Sequence, residues 1–397
     1  MKRYWKIISI CFVTLLVIGT FYIQSSFATS EHLTVEFEKT NGNEDEVQNL
    51  MLYGDYLVDH NSWYQQQIPL QMTSEETIDP TNLSFLQKLS RLGIPYPLEK
   101  LVEKHKNFMR SKDLEPNYFF EDEHVVAYAQ IRNPYERPMK DLTFEIEVLH
   151  KQSDEITAIQ LEIPEKENYG WMNVDKVQVI DSELKVITRG FRIGGRDELR
   201  VYTFDLDEQK LVSHHTIAST PRIENGWSNL RIINDDGNNY LLIKIETIED
   251  DMGHSDGKPN AAYEFIVYDI VNNQSKKIVG SDELLGSIGS ASIFNSTLFI
   301  SSQSSNGVEI NQYDIKNDKW GTKPAFDLGD AKTDESPYMK AMNGKLYLIY
   351  ATTNGHTLFI GDVETGESLY EGQLKVKNKG EDQKDYRLYF NRIEFVQ

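Results

Sequence analysis

Asn343-Gly344-Lys345-Leu346-Tyr347-Leu348, with Gly361-Asp362-Val363 shortly behind it, is the stretch that decides the fold. It sets out a tight polar turn, a β-rich run, and then a second run closed by an Asp. Asn and Gly tolerate the left-handed backbone of a short hairpin, so the first turn joins two strands. The same turn and run recur as Asp181-Ser182-Glu183-Leu184-Lys185-Val186-Ile187, Asn238-Asn239-Tyr240-Leu241-Leu242-Ile243 and Asn295-Ser296-Thr297-Leu298-Phe299-Ile300. The closing unit recurs as Phe204-Asp205-Leu206, Tyr268-Asp269-Ile270 and Tyr313-Asp314-Ile315. Successive Asp positions lie 64, 45 and 48 residues apart. Looser copies stand at Gly54-Asp55 and Asp122-Glu123, and Ile146-Glu147-Val148 is a divergent closing unit. A third shared element, Gly170-Trp171-Met172-Asn173 and Gly226-Trp227-Ser228-Asn229, introduces the first strand of two units.

A repeat of about fifty residues carrying four short strands is the sequence form of a β-propeller blade. The physical reason is burial: one four-stranded sheet cannot cover both its faces, whereas blades packed radially cover each other. The units centre on residues 47–72, 118–164, 172–219, 228–280, 288–332 and 338–377. The expected fold is therefore all-β, a β-propeller of six blades, with seven as the alternative. A stack of separate sandwiches competes, but does not predict repeats this regular. Leu33 to Lys39 and part of Tyr386 to Val396 alternate apolar and polar residues, and either is able to complete the first blade and close the ring.

One segment breaks the pattern. Asp79-Pro80-Thr81-Asn82 starts a helix that carries Leu83, Leu86 and Leu89, and Gly93-Ile94-Pro95-Tyr96-Pro97 interrupts it. A second helix is expected from about Leu98 to Met109, with Leu98, Leu101, Val102 and His105 on one side. This helical insertion, about 79–112, falls between the first two blades. Its polar side carries Lys100, Lys104, Lys106 and Arg110, the most basic stretch in an acidic chain and the candidate partner-binding surface.

The chain opens with Lys2, Arg3 and Lys6 before an uncharged run from Ile7 to Ile23. Such a run marks residues 1–28 as a signal peptide or an N-terminal membrane anchor. The positive-inside rule then puts residues 29–397, the propeller body, on the extracytoplasmic face of the cell membrane. Tyr22 suits the outer interface of an anchor, while Ser26-Phe27-Ala28 offers a cleavage site that would make the body secreted. Cys11 lies inside the apolar run, so the exported part has no cysteine and relies on core packing. Without the three cations of residues 1–28, 38 Lys and Arg face 62 Asp and Glu, a net charge of −24. That balance excludes the basic footprint of a nucleic-acid binder. It also opposes adsorption to an anionic membrane face, leaving residues 7–23 as the membrane contact.

Signatures of nucleophile elbows, zinc helices, phosphate loops and dinucleotide folds are missing from the sequence, and no catalytic residue, cofactor or metal site is assigned. Gly286-Ser287-Ile288-Gly289-Ser290 has the wrong offsets for a nucleophile and reads as a connection between blades. His214-His215 and His254, with Asp250, Asp251 and Asp256, lack the spacing of a calcium loop and read as a solvated hairpin region. Arg189, Arg192, Arg196 and Arg200 surround Gly194-Gly195; they either hold an anionic ligand or pair with carboxylates on alternating strand positions.

Asp362-Val363-Glu364-Thr365-Gly366-Glu367-Ser368-Leu369-Tyr370 resembles the Asp-x-x-Thr-Gly-Lys-x-x-Trp repeat of quinoprotein-like β-propellers, with Glu367 for Lys and Tyr370 for Trp. The resemblance implies a Thr-Gly turn and a large aromatic packed between blades. It carries over no cofactor, since the stretches after Asp205, Asp269 and Asp314 lack Thr-Gly. The whole chain resembles the poorly characterised membrane-anchored β-propeller proteins of Gram-positive bacteria, which implies a place at the cell envelope and no activity.

Two functional classes follow. The first is a non-enzymatic binding or sensor scaffold whose partner is an envelope protein or polymer. The second is an envelope glycan-processing enzyme with carboxylates at the propeller mouth. Facing carboxylates about 5–10 Å apart would favour the enzyme. A flat mouth with an exposed apolar patch near residues 83–109 would favour the scaffold.

Overall fold

The computed structural model describes residues 5, 9–10, 12–15, 33–61, 64–79, 94–95, 98–132, 142–223, 225–233, 239–249, 260–280, 285, 290–304, 307–321, 328, 337–353, 355–377 and 386–395. Leu83, Leu86, Leu89, His254 with its neighbouring aspartates, and the Gly286–Gly289 connection lie outside them. Among the described residues no helix is long and apolar enough to cross a membrane.

The chain is all-β. In order, its elements are β1 (Thr34–Gly42), β2 (Leu50–Asn61), β3 (Tyr64–Met72) and β4 (Thr77–Ile78), then helices α1 (Glu99–Lys104) and α2 (Lys106–Met109). β5 (Phe119–Glu121), β6 (Val125–Arg132), β7 (Thr143–His150) and β8 (Glu155–Glu162) follow. Next come β9 (Tyr169–Ile180), β10 (Glu183–Arg192), β11 (Arg196–Asp205) and β12 (Lys210–Ser219). β13 (Gly226–Ile232), β14 (Tyr240–Glu249), β15 (Asn260–Asp269) and β16 (Gln274–Lys277) precede β17 (Ser290–Phe294), β18 (Thr297–Ser304), β19 (Gly307–Asp314) and β20 (Lys319–Trp320). The last are β21 (Tyr338–Met342), β22 (Lys345–Thr352), β23 (Gly355–Asp362), β24 (Ser368–Lys377) and β25 (Tyr386–Phe395).

These strands form six sheets, four of them simple meanders: β5 to β8, β9 to β12, β13 to β16 and β17 to β20. The other two exchange chain ends. β25 completes the first sheet in the order β25-β2-β3-β4, and β1 adds a fifth strand to the last in the order β1-β24-β23-β22-β21. Both candidate closing strands are thus used, but on different sheets.

The repeated Asp is a turn residue. After β11, β15, β19 and β23 the Oδ1 of Asp205, Asp269, Asp314 and Asp362 accepts backbone N–H bonds from residues two or three further on, at 2.8–3.0 Å. This local cap satisfies donors that the ladder leaves free. A left-handed residue then precedes the fourth strand: Gln209, Asn273, Asp318 and Gly366 have φ of 53°, 53°, 54° and 76°. The aromatic before the Asp reinforces the turn in two sheets. The Tyr268 hydroxyl donates to Asn273 Oδ1 at 3.0 Å, and that of Tyr313 donates to Asp318 Oδ1.

The chain divides into two compact units: residues 1–92, 299–312 and 320–397, and residues 93–298 with 313–319. The first has its core in Leu50, Leu52, Tyr56, Tyr347, Leu358, Leu374, Leu388 and Ile393, so both exchanged ends are anchored by burial. The second has two cores. One joins the β5–β8 and β9–β12 sheets, where the Phe144 ring meets Tyr202 and Phe204 edge-on at 4.9 and 5.5 Å. The other joins the β9–β12 and β13–β16 sheets through Ile187, Leu199, Val201, Leu230, Ile243 and Tyr268.

The helical segment also departs from expectation. In place of one helix from Leu98 to Met109 there are two short ones, broken where His105 has φ −122° and ψ 45°. The break lets Leu98 and Leu101 on one side of it, and Phe108 and Met109 on the other, enter the same core.

Candidate functional site

Three arrangements in the second unit carry charge, and each starts from the alternation of side chains along its element. The first is the helical segment. Lys100, Lys104, Lys106 and Arg110 are all exposed, while Leu101, Phe108 and Met109 between them are buried and Val102 is half-buried. Among the described contacts none of the four makes an ion pair. His105 instead turns toward Glu121, 3.8 Å away, which also holds Lys151 at 2.7 Å. Lys112 lies just beyond the segment and is no surface cation. Its ammonium is 2.6 Å from Glu147 and 4.1 Å above the Phe108 ring, almost wholly covered.

The second arrangement is one half of the arginine cluster. Arg192 and Arg200 point from their strands toward the β5–β8 sheet. Arg200 donates to Glu165 Oε2 at 3.0 Å, to the Tyr169 hydroxyl at 2.9 Å and to His214 Nδ1 at 2.8 Å. Glu198 is buried and accepts from Tyr169 and Thr216, both at 2.6 Å, with Arg192 Nε 3.3 Å away. Two guanidiniums therefore balance two carboxylates, and burial is tolerated because each charge has partners. Burial, with its bond to Glu198, pushes the Tyr169 phenol up to about 12, so at neutral pH it is a hydrogen-bond donor. The Nδ1 of His214 accepts from a guanidinium, so the neutral ring carries its proton on Nε2. This network ties Glu165, in the turn before β9, to strands β9 to β12, and leaves Arg200 Nε without a hydrogen-bond partner.

Adjacent residues on a strand face opposite ways, which separates His214 from His215. His215 Nε2 is 3.2 Å from the Tyr268 hydroxyl on the other side of the sheet. Among the described residues no group of three His, Cys, Asp or Glu is placed to hold a metal ion.

The third arrangement is on that other side, facing the β13–β16 sheet. Arg189 NH1 donates to the Leu230 carbonyl at 3.4 Å. NH2 donates to Asp175 Oδ1 at 3.4 Å, while Nε sits 3.1 Å from Asp175 Oδ2 without hydrogen-bond alignment. Phe191 pairs across β9 with Trp171 and across β11 with Asp197, so all three share the Arg189 face. Phe191 is 38 % exposed, and Trp171 is half-buried. The Asp197 backbone is fixed by Thr220, which accepts from its N–H at 3.0 Å and donates to its carbonyl at 2.9 Å. Burial holds the carboxyls of Asp175 and Asp197 above the ordinary Asp range, and Arg189 offsets only part of that shift.

The four arginines therefore do not form one anion site. Arg192 and Arg200 serve one face, Arg189 the other, and Arg196 is exposed at the hairpin tip. Asp175, Asp197 and Glu198 were not singled out from the sequence. Strand alternation links Asp197 to Phe191 and Glu198 to Arg200, but Asp175 occupies a bulge, between the positions that pair Ile187 and Thr188, that breaks the alternation.

No protein-family model matches the sequence, and no curated protein matches it. Among solved structures, the chain is similar to the β-propeller domain of the Trilobed protease from Pyrococcus furiosus. The identity is 10%, over 92% of this chain and 98% of that one, with a TM-score of 0.34. It is also similar to an α-L-arabinofuranosidase from Fusarium graminearum, at 11% identity over 87% and 97% of the two chains and a TM-score of 0.33. A polysaccharide lyase acting as an ulvan lyase aligns at 9% identity over 70% and 80%, with a TM-score of 0.35. Likeness at this level carries no argument about activity.

Proposed function

We propose that the chain is an extracytoplasmic β-propeller, held at the cell membrane by residues 7–23, that serves as a non-enzymatic binding scaffold for an envelope protein or polymer. Six sheets of consecutive strands, with β25 returning to β2, support the propeller reading. The cations before Ile7 and the apolar run after them support the location. One observation carries the binding reading. Lys100, Lys104, Lys106 and Arg110 are exposed on a segment whose Leu98, Leu101, Phe108 and Met109 are pinned in the core. A fixed basic face on a body of net charge −24 attracts an acidic partner and sets its orientation.

The test replaces all four by Glu in the full chain. The variant should unfold at the same temperature, because the four side chains are outside the core. Crosslinking to the native envelope should fall several-fold and lose its dependence on salt, since exposed charges are screened over roughly 8 Å at physiological ionic strength. Unchanged capture by a stably folded variant would refute the basic face as the contact. A parallel loss of stability would reassign it to the fold.

A further inference from the structure

We infer that the junction between the β9–β12 and β13–β16 sheets is an acid-sensitive seam, opened at its edge by protonation of His215. None of the residues involved belongs to the basic helical face, so the seam and the scaffold stand or fall independently.

His215 is half-buried on β12, an edge strand, and the alternation that turns His214 to one face turns His215 and Ile217 toward the β13–β16 sheet. A chain of side chains crosses the junction there. His215 Nε2 is 3.2 Å from the Tyr268 hydroxyl, which donates to Asn273 Oδ1 at 3.0 Å. Lys185 Nζ donates to that same oxygen at 3.2 Å. Lys185 and Tyr268 are buried, so an ammonium and an imidazole are held on one polar track between two sheets. Two residues along β12, the Ser275 hydroxyl of β16 donates to the Ile217 carbonyl at 3.1 Å. β16 itself pairs with β15 over only four residues, from Ile266↔Lys277 to Asp269↔Gln274.

Protonation adds charge where the surroundings are poorly able to take it. β10 presents Lys185, and Glu183, 3.1 Å from that ammonium, is engaged by it. β9 presents Lys176 on the cross-strand row that runs through Ile187 and Val201 to His215. Arg200 and His214 act on His215 from the opposite face of its own sheet. On β15 burial pushes the Tyr268 phenol well above its ordinary value, so it stays neutral and supplies no counter-charge. Asp269 caps the turn at Asn272, Glu264 pairs with Lys277 at 3.0 Å, and Asp318 pairs with Lys276 at 3.1 Å. Among these groups no carboxylate is left to offset an imidazolium, which meets like charge instead. Burial first, and Lys185 next, hold His215 below the ordinary histidine value. The unfolded chain therefore takes the proton more readily, and stability is lost as pH falls from about 6.5 toward the folded value. The junction's other side-chain bonds, Gln178 to Asn239 Oδ1 at 3.2 Å and Arg189 to the Leu230 carbonyl, involve no group that titrates in that range. Opening is thus confined to β12, β16 and the turn between β15 and β16.

The experiment uses the full chain in a zwitterionic detergent and compares pH 7 with pH 5. Hydrogen exchange is followed by mass spectrometry and corrected for the intrinsic pH dependence of exchange. At the lower pH it should speed up about threefold or more across β12 and β16 and stay level across β13. NMR of carbon-13-labelled imidazoles should place the His215 midpoint below the ordinary histidine value. His215→Gln offers Tyr268 a hydrogen bond but cannot take a charge, so it should abolish the acid-driven increase. Lys185→Met keeps the imidazole and should raise its midpoint, which preserves the test if the Gln variant fails to fold. His214→Gln, on the opposite face, should leave the increase in place. A His215 midpoint at or above the ordinary value, or one that Lys185→Met does not move, would overturn the seam. So would an acid response that survives His215→Gln in folded protein, or equal exchange at the two pH values in the natural protein. None of those outcomes bears on envelope capture by the basic face.

Discussion

Removing residues 386–397 deletes one strand, and the loss can be worked out from what that strand buries. β25 pairs with β2 from Leu50↔Phe395 to Val58↔Tyr386 and places Leu388 and Ile393 in the core at 4 % and 2 % exposure. The ladder bonds contribute about 0.5–1.5 kcal/mol each. Ordering the backbone costs about 1–2 kcal/mol per residue, so these two contributions largely cancel. What remains is burial of the two aliphatic side chains, about 1.5–3 kcal/mol each. The expected loss is therefore about 3–6 kcal/mol, large against the roughly 5–15 kcal/mol that holds a typical domain. For a unit of this size it corresponds to roughly 6–24 °C in Tm. The assay is urea and thermal unfolding of the full chain and the truncated one, followed by circular dichroism. A first unit that melts early while the second keeps its own two cores would give a split transition. Ile393→Ala should reproduce about 2–5 kcal/mol of the loss without a new edge. A truncated protein with the midpoint of the intact one would refute the idea that β25 carries the first sheet.

Two further outcomes are expected. Gly226→Ala should destabilise by about 1–3 kcal/mol, since φ is +133° and a Cβ would lie 2.1 Å from the Ile248 carbonyl oxygen. Gly170→Ala, at the matching place in the neighbouring sheet, should stay within about 0.5 kcal/mol because its Cβ finds only ordinary contacts; equal melting temperatures for the two variants would contradict this. For pH, the raised carboxyl of Asp197 means that the folded state binds more protons than the unfolded one between the two pKa values. Ionising it therefore opposes folding above the folded value, and the penalty vanishes below the unfolded one. Asp197→Asn should be more stable than the natural protein at pH 7, with the two converging at pH 3 by chemical denaturation; a gap independent of pH would count against the burial argument.

The repeat was legible because its turns demand particular atoms. An Asp at the end of a third strand caps one or two backbone donors, so Asp205, Asp269, Asp314 and Asp362 remain visible while the strands around them vary. Within 362–370, Gly366 takes φ 76° and Tyr370 is buried. The use of the two terminal strands was not legible. Both alternate in the same way, and pairing across most of the chain depends on tertiary packing. The candidate site was half-visible. The arginines were found, but their division between two faces required the register, and Asp175 required a bulge that no local residue announces. The break at His105 likewise answers to the core beneath it.

The exchange of chain ends has a consequence for synthesis. Asp55 on β2 and its hydrogen-bond partner Asn391 are 336 positions apart. At translation rates of roughly 5–20 residues per second, β2 waits on the order of 20–70 s for β25 to be made. During that interval the first sheet has a bare edge rich in Leu50, Leu52 and Tyr56, and β1 has no β24 to join. The nascent chain is therefore adhesive from its beginning and is relieved only by its last strand. A chain cut short before Tyr386 keeps the strands of its later meanders, but its first sheet has a bare edge open to pairing with another chain.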